Sequence, residues 1–136
     1  MEECLGKSYV LVNSENLEDF FIFIGVGYLA RKAAVTLKQT VRITRNEDGS
    51  YKFEFISPLK IYEFVFTPGE EFEEVRPDGV KMKSVATIEG NKMTHTQTDP
   101  NGRKCIHVRE FYGEKMITTT TGEGLDKIVK RYYEAR

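Results

Sequence analysis

From Gln39 onward the chain is punctuated at a nearly regular interval, and that interval is the strongest constraint on its fold. Turn-forming clusters stand at Asn46-Glu47-Asp48-Gly49, Pro68-Gly69, Pro77-Asp78-Gly79, Glu89-Gly90-Asn91, Asp99-Pro100-Asn101-Gly102, Tyr112-Gly113 and Gly122-Glu123-Gly124. They recur about every ten to thirteen residues, the rhythm of short antiparallel strands joined by tight turns. Between them apolar and polar residues alternate, as at Val41 and Ile43 or at Tyr51, Phe53 and Phe55, which is the period of a strand with one buried face. Counted this way, the chain holds about ten strands. A meander of that length either closes on itself or leaves edges free to pair with other chains, so a closed barrel is expected.

One stretch does not fit the strand pattern. After a first strand over Lys7 to Val12, Asn16 offers a helix N-cap, with Glu18 and Asp19 in the first turn where the helix dipole favours negative charge. Leu17, Phe20, Phe21 and Ile24 follow the i, i+3, i+4, i+7 rule and form one apolar helix face. Ile22 and Phe23 fall off that face and are expected on its outer side. Gly25 and Gly27 break the helix, and a second one is expected from Tyr28 to about Leu37, carrying Arg31 and Lys32 side by side.

Bulk properties remove several classes of function. The 136 residues suit one domain, residues 1–136, with an ordinary soluble composition of 40% hydrophobic and 30% charged residues. Net charge is −1, from 20 basic and 21 acidic residues, so there is no global basic field to hold nucleic acid. Cys4 and Cys105 are far apart and the chain opens on the acidic Met1-Glu2-Glu3, so a reducing, cytoplasmic setting is expected. The longest apolar run, Phe20 to Ala30, contains two glycines and is too short to span a bilayer. Cys105 and His107 share a strand face, which invites a dyad or a metal site. His95 is the only other histidine and no cysteine pair is close in sequence, so neither zinc spacing nor a catalytic dyad is supported. No enzyme activity, cofactor or metal is expected.

Two arginines remain. In a strand over Lys127 to Tyr133, Val129, Arg131 and Tyr133 share a face, and in a strand over Arg103 to Phe111, Arg109 shares a face with Cys105 and His107. If both arginines point into a closed barrel, they form a buried cationic spot that suits a carboxylate, with a tyrosine hydroxyl as a further donor. Spacing alone favours the solvent face, because charged side chains are rarely buried unpaired. Thr118 and Thr120 share one face, as do Thr94, Thr96 and Thr98; each set suits either a wet cavity wall or an outer surface.

Taken together, the segments resemble the intracellular lipid-binding proteins, most closely the fatty-acid-binding branch. The likeness runs from Gly6 to Tyr133 through Tyr9, Asn16-Leu17-Glu18-Asp19-Phe20-Phe21, Ile24-Gly25-Val26-Gly27, Arg31, Gly69-Glu70-Glu71-Phe72-Glu73-Glu74, Lys83-Ser84-Val85, Val108-Arg109-Glu110 and Arg131-Tyr132-Tyr133-Glu134. The resemblance implies an all-β, ten-stranded antiparallel up-and-down barrel with a two-helix lid near the N-terminus, enclosing a solvated cavity. It also implies that Arg109, Arg131 and Tyr133 hold the carboxylate of a long-chain fatty acid, which overturns the preference for the solvent face. Leu17, Phe20, Phe21, Ile24, His107, Thr118 and Thr120 are then expected at the cavity, and Val26, Leu29, Leu59 and the Pro77-Asp78 turn at its portal. Ile22, Phe23, Arg31 and Lys32 are expected to touch a membrane surface transiently.

The implied protein is a cytoplasmic, monomeric carrier of a hydrophobic carboxylic acid. Retinoic acid is the alternative ligand, and a membrane-associated structural protein is disfavoured by the net charge. Several positions depart from the family pattern. Tyr9 lies three residues after Gly6 rather than two, Gln39 stands in place of a proline, and Leu59 in place of a phenylalanine. His107 and Thr118 replace cavity leucines, and the turn before the last strand is long. These departures suggest a wetter interior.

Overall fold

The computed structural model describes residues 1–136 apart from Leu59, Pro77 and Asp78, so two of the expected portal positions, Leu59 and Asp78, lie outside the described residues. A short 3-10 turn, Glu2–Cys4, precedes strand β1, Tyr9–Glu15. Two helices follow, α1 (Leu17–Phe23) and α2 (Tyr28–Thr36). The rest is strand: β2 (Thr40–Arg45), β3 (Tyr51–Ile56), β4 (Ile61–Phe66), β5 (Glu71–Val75), β6 (Lys81–Glu89), β7 (Lys92–Thr98), β8 (Lys104–Phe111), β9 (Lys115–Gly122) and β10 (Val129–Ala135).

The ten strands form one sheet in the order β4-β3-β2-β1-β10-β9-β8-β7-β6-β5, with every neighbouring pair antiparallel. The sheet curls until its first and last strands face each other, giving a nearly closed barrel. At the remaining seam, β4 and β5 share no ladder among the described residues, and side chains do the joining. Phe64 of β4 stacks on Phe72 of β5 with ring centroids 5.3 Å apart, and the Tyr62 hydroxyl donates to the Glu74 carboxylate. On the opposite side, β1 pairs with β10 through a bulge between Leu11 and Asn13, which turns Val12 outward.

One end of the barrel is a dry core. Tyr9, Ile43, Phe53, Phe66, Met93, Phe111 and Met116 are buried there with Cys4 of the 3-10 turn. The other end is roofed by α1, whose Leu17 and Phe20 pack on Cys105 and Val129. The apolar stripe read from the helical period is therefore the face that docks. Helix α2 has no fully buried residue and lies over the barrel mouth as a looser cover.

Several local expectations need correction. Asn16 sits at the N-cap position of α1 but in the left-handed region (φ 60°), with no side-chain cap bond; its amide instead donates to the Ile128 carbonyl at 3.0 Å. That contact ties the helix start to β10, and an asparagine tolerates the left-handed backbone better than most residues. Strand β1 begins at Tyr9 rather than Lys7. Thr94, Thr96 and Thr98 do not form a wall of the interior, because the alternate face of β7, with Met93 and His95 buried, turns inward.

Two of the residues expected on the outer side of the lid are tied down. Phe23 lies beneath the Arg103 guanidinium at 4.3 Å and against Gly122, where a Cβ would come within 3.0 Å of its ring. Arg31 pairs with Glu18 at 3.0 Å and donates to the Val26 carbonyl at 3.2 Å, clamping α2 to α1. Lys32 pairs with the same carboxylate at 2.7 Å but stays exposed, and Ile22 remains 54% exposed.

Candidate functional site

Strand register places the key side chains in rows across β8, β9 and β10. Arg109 is opposite Thr118, and Thr118 is opposite Arg131, so one hydroxyl stands between two guanidiniums on adjacent strands. The row nearer α1 is His107, Thr120 and Val129; the row nearer the dry core is Phe111, Met116 and Tyr133. All of these residues are buried, so both arginines do face the interior. Adjacent strands lie about 4.8 Å apart, which separates the two arginine backbones by roughly 10 Å.

A second group converges on Glu74, which is only 2% exposed. Ser84 Oγ and Tyr62 Oη donate to it, the serine at 2.8 Å. His95 Nε2 meets it at 2.8 Å and Gln97 Nε2 at 3.0 Å. Burial alone would raise the pKa of this carboxyl, but the bonds from His95, Tyr62 and Ser84 together outweigh it and hold the pKa down at about 2. Glu74 is therefore an anion at neutral pH.

The direction of the remaining hydrogen bonds follows from that anion. His95 donates from Nε2 to Glu74, so its Nδ1 is an acceptor, and Arg109 Nη1 donates to it at 3.0 Å. Gln97 donates its amide to Glu74, so its Oε1 accepts from His107 Nε2 at 2.8 Å. His107 Nδ1 then accepts from the Thr120 hydroxyl at 2.7 Å. Two arms, Arg109–His95 and Thr120–His107–Gln97, thus run toward one carboxylate. Both imidazoles are held neutral. Burial lowers the His95 constant despite the pull of Glu74, and burial with the nearby arginines drives His107 well below its usual value. Arg109 is lowered to about 10 by burial and by repulsion from Arg131, and remains charged at neutral pH.

Arg131 has no such partner. It is 4% exposed, and its buried Nε makes no hydrogen bond; the same holds for the Thr118 hydroxyl beside it. Its guanidinium lies 5.6 Å from the Phe20 ring, under α1. The Tyr133 hydroxyl has only a long contact, 3.5 Å to Gln39 Oε1. Among the described residues of this wall, Arg109 and Arg131 face the one carboxylate of Glu74, an excess of one positive charge, and Arg76 brings a further guanidinium to the adjoining cavity.

Beside this polar wall is a cavity of about 520 Å³, within the range of small-molecule sites. Phe21, Ile24 and Val26 line it, with Ala30 and Ala34 of α2 and Phe55 of β3. Gln39 and Tyr62 also line it, and these two link it to Tyr133 and to Glu74. Other expected residues sit elsewhere. Leu29 is 83% exposed on the outside of α2, and Leu17 and Phe20 belong to the packed roof. His107, Thr118 and Thr120 are in the wall rather than at the surface of this cavity.

The family model of the lipocalin / cytosolic fatty-acid binding proteins matches residues 7–133, nearly the whole barrel. This chain belongs to that family. Fatty acid-binding protein homolog 5 of Caenorhabditis elegans is 40% identical over 120 residues, 87% of each chain. The fatty acid-binding protein of Lepidoglyphus destructor is 38% identical over 125 residues, 91% of this chain and 93% of its own. Among solved structures, the brain fatty acid-binding protein of Drosophila melanogaster superposes with a TM-score of 0.89 at 35% identity, covering 97% of this chain and 99% of that one. A Schistosoma mansoni fatty acid binding protein in complex with arachidonic acid gives 0.89 at 32% identity, covering 100% and 98%.

Within this fatty-acid binding barrel, the side chains missed in the sequence are Glu74, His95, Gln97, Tyr62 and Gln39. Glu74 is hidden in the run Glu70-Glu71-Phe72-Glu73-Glu74, which reads as a solvated acidic stretch. Its one signal is parity: Phe72 marks the inward face of β5, and Glu74 shares it. Cys105, 3.8 Å from His107, is raised to about 11 by burial, so its thiol stays protonated at neutral pH and is a poor nucleophile.

Proposed function

We propose that the barrel binds one long-chain fatty acid, with the carboxylate on Arg131 and Tyr133, next to Arg109, and the tail in the apolar cavity beneath α2. The observation that carries this is the buried Arg131 Nε without a partner, in a wall whose other arginine is already compensated through His95 to Glu74. A buried guanidinium needs an anion, and its planar fork suits the two oxygens of a carboxylate. One uncompensated charge suits one monoanion. The fatty-acid-binding relatives support the same ligand class, which favours it over retinoic acid.

The tail supplies most of the affinity. At ~0.8 kcal/mol per buried methylene, a sixteen-carbon chain contributes roughly 10 kcal/mol before losses. Ordering and association then cost several kcal/mol or more. The head group mainly selects an acid over an alcohol, because a neutral hydroxyl cannot balance the cation. Binding and release involve no covalent step, and the carrier works as a cytoplasmic monomer. Pick-up from membranes would use Ile22, Leu29 and Lys32, the exposed members of the lid.

Titrating the wild type and Arg131→Gln with palmitate and with hexadecanol tests the assignment. Palmitate should lose on the order of 30-fold or more, the cost of removing one member of a buried charge pair, while hexadecanol changes little. Equal losses for both ligands would remove Arg131 from the head-group site. Mass spectrometry of lipid copurifying with the protein checks the ligand class independently.

A further inference from the structure

We propose that the head-group site is built for a long-chain acid bearing a hydroxyl on the carbon next to the carboxyl, a 2-hydroxy fatty acid, with Thr118 as the residue that recognises the hydroxyl. This rests on the fatty-acid reading above and refines it. The starting observation is a hydroxyl in an unusual position. Thr118 is 1% exposed and its Oγ1 has no hydrogen-bond partner, although its register neighbours on both sides are arginines. A guanidinium has donors and no acceptor, so neither arginine can take the threonine proton. Burying a hydroxyl without a partner is unfavourable, so its proton calls for an acceptor from outside the chain, a water or a ligand oxygen.

A plain carboxylate does not use everything the site offers. It presents roughly four lone-pair sites, whereas Arg131, Tyr133 and Thr118, with the N–H groups of Arg109 not turned to His95, present many more donors. Arg131 and Tyr133 suffice to occupy the carboxylate. A hydroxyl on the adjacent carbon then falls on the row Arg109–Thr118–Arg131. There its oxygen can accept from Thr118 and from Arg109, and its own proton is donated to the neighbouring carboxylate oxygen.

Charge points the same way. The wall carries one uncompensated positive charge, so a richer head group should gain oxygen without gaining a second negative charge. A 2-hydroxy acid meets that condition at neutral pH. Position matters too: the cavity is lined mainly by apolar groups such as Phe21, Ile24, Val26 and Phe55, with Ser57, Lys60 and Arg76 among them, and Thr118 is not part of it, so a hydroxyl at the far end of the chain does not meet Thr118.

Titration calorimetry of the full chain with palmitate, 2-hydroxypalmitate and 16-hydroxypalmitate tests this. The 2-hydroxy acid should bind roughly three- to tenfold tighter than palmitate, the yield of one net hydrogen bond. The 16-hydroxy acid should show no gain that depends on Thr118. Thr118→Val should abolish the 2-hydroxy advantage, read as the ratio of 2-hydroxypalmitate to palmitate affinity within each variant, while Thr118→Ser should retain it. The serine variant keeps the test decisive if the valine variant does not fold: losing the advantage in Thr118→Ser, with palmitate still bound, counts against the assignment. Equal affinity for palmitate and the 2-hydroxy acid in the wild type would overturn it, as would an advantage that survives in Thr118→Val. In either case palmitate binding itself would still stand, whereas a wild type that binds neither acid would overturn the proposed function as well.

Discussion

The two sides of the barrel interior follow opposite rules. Under α2, the walls are mostly apolar, with Gln39, Ser57, Lys60, Tyr62 and Arg76 the polar members, the helix above buries no residue completely, and a cavity remains. Under α1, the walls from β5 to β10 are polar, the helix above is packed down by Leu17 and Phe20, and most groups are locked in hydrogen bonds. The first side is adaptable because dispersion contacts have no direction and a flexible tail can take many shapes in it. The second is fixed, because apart from Arg131 Nε and the Thr118 hydroxyl its groups are joined in one network and moving one strands another. A ligand with one polar end and one greasy end is thus oriented by the difference between the sides.

The comparison can be broken or sharpened by substitution. Phe53→Ala removes a ring that fills the dry core and lies 4.3 Å under Arg109, and should cost ~3–5 kcal/mol in chemical denaturation. Glu74→Gln keeps the shape of the polar wall but removes its anion. The unliganded protein should lose about 3 kcal/mol, the low end for breaking a buried ion pair. Palmitate should compensate part of that loss, because the wall then lacks two negative charges rather than one. A melting series with and without palmitate reads both effects, and an unchanged apo midpoint would show that Glu74 does not hold the wall together.

Protonation gives a smaller effect with a definite sign. His95 and His107 have constants below the ordinary 6.5, so the unfolded chain binds more protons than the folded one once pH falls below that value. Stability should therefore decline as pH drops through 6.5 toward the folded-state values. Glu74 adds a further loss at lower pH, since its contribution is complete above the usual carboxyl range near 4.5 and disappears as pH falls through about 2. His107→Leu should flatten the upper part of this decline, measured as melting temperature between pH 7 and pH 5. Smallest of all, Leu29→Ser on the outside of α2 should leave stability within about 0.5 kcal/mol. A larger shift would mean that the loose side of the lid is packed more firmly than its exposure indicates.

The sequence made the frame readable because its signals are local. Turn clusters separate strands whose alternation follows from pleat geometry, and the period of Leu17, Phe20, Phe21 and Ile24 marks the docked face of α1. Parity was enough to put Arg131 with Tyr133 and Arg109 with His107. It could not say which face was inside, and the family resemblance supplied that. What stayed hidden depends on contacts between distant strands. Glu74 meets His95 across β5, β6 and β7, and nothing in either segment announces the other. His95 was obscured by flanking threonines that looked like the informative face. Phe23 and Arg31 looked outward on a helical wheel, but long side chains reached partners at Arg103 and Glu18.

The ladder between β1 and β10 has a consequence for how the protein is made. Every other strand pair joins segments that are neighbours in sequence, apart from the short excursion through the helices, and can assemble as each hairpin leaves the ribosome. β1 must wait with one edge uncovered until β10 has been synthesised. During translation that edge is the most vulnerable part of the nascent chain, and its bulge at Val12 is well placed to discourage a stray strand from another molecule.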